Sequence, residues 1–212
     1  MVRALCYLAI IASVILWTLG TPARAQDPDY FRGQITKVEA SAIVMKTSDG
    51  KTVRLGILNN LTVISLTKDS FTKVDFGTYV GSVAVRLNEY SPIVRDSMSW
   101  LHQGFELRVI SEELRGIAVG KKEWDLTPET IMAHGWVDDI EGRVISIKYG
   151  PTEEEETDVD VGRDIPVLKM SLGAMSLIKP GAHVFAGAQK NGSDEYEVVF
   201  VFAGEDGIVP PL

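Results

Sequence analysis

The sequence predicts an all-β fold: two tandem, small Greek-key β-barrels with short helical turns, produced by an internal duplication and preceded by an N-terminal signal peptide. Three observations carry this. The chain matches itself at an offset of about 102 residues. Its β-branched and apolar runs are of strand length and end at glycine turns. After residue 25 it contains no cysteine, so burial and strand pairing must hold the fold without disulfides.

The N-terminal segment decides which residues enter the fold. Arg3 supplies a positive start, residues 4–19 are uncharged and apolar, and Ala23-Arg24-Ala25 ahead of Gln26 has the small-x-small form cut by signal peptidase. Residues 1–25 are therefore read as a signal peptide, and the mature chain as periplasmic or secreted. A retained anchor is the alternative, but the apolar stretch falls short of the roughly 20 residues of a comfortable span. Gly20, Pro22 and Arg24 also follow it directly, and no membrane contact is expected after cleavage. Cys6 stands at the start of the stretch, not behind it where a lipid-bearing cysteine would be. Loss of Arg3 and Arg24 leaves 19 basic against 29 acidic residues, a balance unsuited to nucleic-acid phosphates.

The repeat sets the domains. GQITKVEASAIVMK (33–46) aligns with GWVDDIEGRVISIK (135–148), and SFTKVDFGTYVGSVAV (70–85) aligns, two residues later in offset, with AMSLIKPGAHVFAGAQ (174–189). The division expected is a first barrel at 26–112, an ordered linker at 113–133 and a second barrel with a C-terminal tail at 134–212. In the first copy, strands are read at 33–38, 42–47 and 51–57, with Ser48-Asp49-Gly50 as a hairpin turn. The second copy repeats them at 135–140, 143–149 and 157–161. A further strand is read near 61–66 and 165–169, then one helical turn, a glycine turn at Gly77 or Gly181, and another apolar strand. The copies close on FELRVIS (105–111) and YEVVFVF (196–202). Five or so such strands fit a small barrel of the OB type, with a sandwich of similar strand count as the alternative.

Four segments carry a resemblance: RGQITKV (32–38), the glycine turn ahead of VGSVA (80–84), the linker LRGIAVGKKEWDLTPETIMAHGWV (114–137) and the closing GEDGIVPPL (204–212). The chain resembles a family of exported bacterial proteins of unknown function with paired OB-like domains. The resemblance implies the barrel pair but no catalytic residues, and that family commonly has asparagine where this chain has His134. Some members go under the description metal ABC transporter permease. That does not suit this sequence, because nothing after residue 25 approaches an apolar run of about 18 residues.

No motif points to chemistry. There is no HExxH, no GxSxG and no glycine-rich phosphate loop, and His102, His134 and His183 are too dispersed for a zinc site. No cofactor or metal is expected. The acidic run EEEETDVD (153–160) lacks the spacing of a calcium loop and reads as an exposed hairpin loop. Two binding candidates remain. One is the insertion 88–104, which holds Tyr90, Ile93, Met98, Trp100 and Leu101; it reads either as a ligand-bearing loop or as an extension packed on its own barrel. The other is the linker, whose apolar content predicts docking around a buried Trp124, with Arg115, Lys121 and Lys122 concentrating positive charge beside it. The functional expectation is a non-catalytic binding or assembly module for a protein or a small anionic ligand. The alternative is an enzyme whose site is assembled between the repeats.

Overall fold

The computed structural model describes residues 28–86, 101–193 and 195–211. The signal segment 1–25, and Tyr90, Ile93, Met98 and Trp100 of the insertion, lie outside the described residues. Within them the protein is all-β, and its helices are single 3-10 turns. Among the described residues no helix is long and apolar enough to cross a membrane.

The first three strands, β1 (Asp29–Val38), β2 (Ala42–Thr47) and β3 (Thr52–Lys68), form an antiparallel meander. Next come β4 (Tyr79–Arg86), β5 (His102–Ile110) and the short β6 (Gly120–Glu123), which pairs with β7 (Thr130–Glu141). A second meander is built from β7, β8 (Val144–Lys148) and β9 (Glu156–Asp160). The chain ends with β10 (Val167–Leu172), β11 (His183–Lys190) and β12 (Tyr196–Gly204). Gly77 and Gly181 enter β4 and β11 with φ of 77° and 88°, a conformation that a side chain would disfavour.

Strand pairing makes two closed five-stranded rings. In ring one, β1, β2 and β3 are completed by β12 and β11, with β3 parallel to β12. In ring two, β7, β8 and β9 are completed by β5 and β4, with β9 joining β5 in parallel at His102 opposite Val159. The expectation that 26–112 and 134–212 each close a barrel of their own is therefore corrected: the two halves exchange their last two strands. The reason lies in β3. A break was expected near 58–60, where Asn59 and Asn60 are residues that turns favour. The chain bulges there instead, with Ile57 opposite Val198 and Thr62 opposite Phe200. β3 runs on to Lys68 and pairs with β10 along its second half, and β4 is delivered onto the other ring.

The acidic run read as a loop at 153–160 is corrected in its second part, where the strand expected at 157–161 is found. Only Glu153–Glu155 leave the sheet, as a 3-10 turn, while Glu156–Asp160 is β9, with Thr157 and Val159 buried. Its alternation of polar and β-branched residues suits a strand with one buried face.

Three cores result. Ile35, Ile43, Met45, Leu55 and Val201 fill ring one, and Val80, Leu107, Ile145, Ile147 and Val159 fill ring two. The third lies between the rings and draws on both halves: Ile64 and Leu66 from β3, Tyr79 from β4, Leu168 and Met170 from β10, and Phe185 and Phe202. Trp124 joins it from the segment between β6 and β7. The linker is thus part of the sheet and of this core, with Leu114, Trp124 and Met132 buried but Ile117 and Val119 exposed.

Candidate functional site

The inter-ring core is incompletely filled. It leaves a cavity of about 390 Å³, within the range of small-molecule sites, bounded by residues from both rings and from the linker.

One wall is aromatic, and strand register builds it. Across β1, β11 and β12, Arg32, Phe185 and Phe202 stand opposite one another, and Phe200 lies two residues away on the same face as Phe202. Phe185 and Phe202 are 5.8 Å apart between ring centroids, and Phe200 meets Phe202 edge-on at 5.5 Å. Tyr30 bridges this group to Trp124, at 5.3 Å from Phe185 and 4.9 Å from the indole. Arg32 lies over Phe185 and pairs with Asp125 at 2.6 Å, which pins the segment carrying Trp124 against β1.

The facing wall has the same pairing pattern and different chemistry. Across β7, β4 and β5, His134, Gly81 and Arg108 stand opposite one another, and Glu106 lies on the same face as Arg108. Where the first wall has a phenylalanine in the middle, this one has Gly81, and the imidazole of His134 occupies the vacated space. A Cβ at position 81 would lie 2.1 Å from its Cδ2. Arg108 and Glu106 are almost fully buried and meet at 2.8 Å, Nε to Oε1, without the alignment of a hydrogen bond. Burial pushes the Glu106 carboxyl up and the Arg108 guanidinium down, and each partner opposes the other's shift. Burial, reinforced by the charges of Arg108 and Lys122, lowers the His134 imidazole to about 3, so the ring is neutral at physiological pH.

Three residues that line the cavity each hold a buried polar atom without a protein partner: Arg108 at Nη2, His134 at Nε2 and Trp124 at Nε1. Leaving such groups unpaired costs on the order of 1–3 kcal/mol each, which makes three of them among the lining residues of one cavity informative. The larger recess beside Ser41 and Gly56, about 670 Å³, has no comparable group. Its Arg54 pairs with Glu39 and its Asn191 donates to Glu197. Among the described residues no cluster of three His, Cys, Asp or Glu could hold a metal.

Compared with family models, with curated proteins and with solved structures, the chain matches none.

Of the residues singled out from sequence, Trp124 and Lys122 line the cavity, with the Lys122 ammonium 5.0 Å from the indole ring. Arg115 is not part of it and forms an exposed pair with Glu112, Nε to Oε2 at 2.7 Å. Lys121 points instead over Tyr149. Trp100 lies outside the described residues. Sequence reasoning missed Arg108 and Glu106, because the correspondence that marks them appears only once the strand pairings are known. Setting FELRVIS against YEVVFVF by their strand pairings places Glu106 and Arg108 where the second half has Phe200 and Phe202.

Proposed function

We propose that the mature chain is an exported, periplasmic or secreted, non-catalytic binding module made from a duplicated OB-like unit, with its ligand site in the cavity between the rings. Two features support the duplication. Each ring is a three-stranded meander closed by a parallel contact to the final strand of the other half, which gives each ring the strand order of an OB barrel. The turn hydrogen bonds also correspond: Gly77 donates to the Val137 carbonyl and Gly181 to the Ile35 carbonyl, both at 2.8 Å.

The observation that carries the binding role is the set of buried, unpaired groups of Arg108, His134 and Trp124 on one largely apolar cavity. A ligand supplying complementary atoms satisfies them. Binding is favoured over an enzyme assembled between the repeats, because the described lining residues include no carboxylate and no thiol, and a neutral imidazole with a pKa near 3 is a weak base.

The test is methyl NMR on the mature protein, with the methyl groups of Met132 and Met170 as reporters inside the cavity. A library of small amphipathic molecules is expected to contain members that shift both signals in a saturable way. A library in which none does so would overturn the assignment.

A further inference from the structure

We infer that the ligand is a monocarboxylate with an apolar tail, its carboxylate held by Arg108 and its tail by the phenylalanine wall. This rests on the reading of the cavity as a ligand site and goes further by naming the chemical class.

The charges set the head group. Glu106 engages Arg108 at Nε and is not among the described residues that line the cavity, whereas Arg108 lines it and keeps Nη2 without a hydrogen-bond partner. Lys122 adds one positive charge at the same cavity, and His134 adds none. With Glu106 set against Arg108, Lys122 is the further cation among the described lining residues. One further cation beside the Arg108 guanidinium suits a singly charged carboxylate. The donors agree. Arg108 Nη2 and Trp124 Nε1 can only donate, so both call for an acceptor, and a carboxylate offers two oxygens with about four lone-pair positions.

The tail follows from the opposite wall. Phe185, Phe200 and Phe202, with Ile64 and Met170, present apolar surface without hydrogen-bonding side-chain groups. At about 30 Å³ per water, the cavity holds roughly a dozen water-sized groups. Decanoate, with its ten-carbon chain, matches that size, and decanol has the same chain without the charge.

Titration calorimetry of the full mature chain with decanoate and with decanol tests the inference. Decanoate is expected to bind at least ten-fold more tightly than decanol. The paired substitution Glu106→Met with Arg108→Met removes both members of the buried pair, so that no unpaired charge is left in the core. In that variant the preference is expected to vanish while decanol binding persists. Equal binding of the two ligands by the wild type, or a preference retained by the double variant, would overturn acid recognition and leave the cavity as an apolar site. If neither ligand binds, and the methyl signals of Met132 and Met170 do not move with any other amphipathic molecule, the cavity reading itself falls.

Discussion

His134 shows what a single buried group does to the energetics of the whole chain. Its folded-state pKa, near 3, lies far below the ordinary histidine value of about 6.5, so between those values the unfolded chain binds a proton that the native protein does not. Stability from this residue is complete above pH 6.5 and is lost as pH falls towards 3, at up to about 1.4 kcal/mol per unit. Glu106, whose pKa is raised, works in the opposite sense, so the informative quantity is the difference between wild type and His134→Asn. Urea unfolding at pH 7 and pH 5 is expected to show that the substitution flattens the acid-side loss by roughly 1–2 kcal/mol. An identical loss in both proteins would show that the imidazole titrates normally. At this scale the sequence was only partly legible. Trp124 was readable as an anchor because a bulky indole in an apolar linker has few alternatives to burial. Arg108 and His134 were not, since a lone cation and a lone histidine become a site only when strand pairing sets them on either side of Gly81.

The strands themselves were readable almost in place, because period-two alternation and glycine turns are local properties of the chain. Which strands pair is not local. The exchange depends on the segment around Asn59-Asn60 bulging within β3 rather than turning back, a choice settled by the parallel partner β12, more than a hundred residues away. It has a direct consequence for the linker. With β4 and β5 built into ring two, and β11 and β12 into ring one, the covalent connection between the halves contributes little to holding them together. Introducing a protease site at 116–119, where Ile117 and Val119 are exposed, and cutting the folded protein is expected to yield two fragments that migrate together in size-exclusion chromatography. They should separate only in denaturant. Fragments that part under native conditions would show that each half closes on itself.

For the molecule as a whole, ring one is begun by the first strand and closed by the last, since β12 pairs with both β11 and β3. Deleting residues 196–212 should therefore open ring one instead of trimming a tail. The expected readout is loss of amide-exchange protection in β1, β2 and β3, which are distant in sequence from the cut, with protection in β7 and β8 less affected. Retained protection in β3 would show that its parallel contact with β12 is dispensable. Long-range closure of this kind is slow, because loop entropy must be overcome before the contacts form. During synthesis the consequence is one of timing. Ribosomes release the amino end first, so the β1–β3 meander emerges with β3 and β1 as unpaired edges. It remains open to pairing with a neighbouring nascent chain until the final residues leave the exit tunnel.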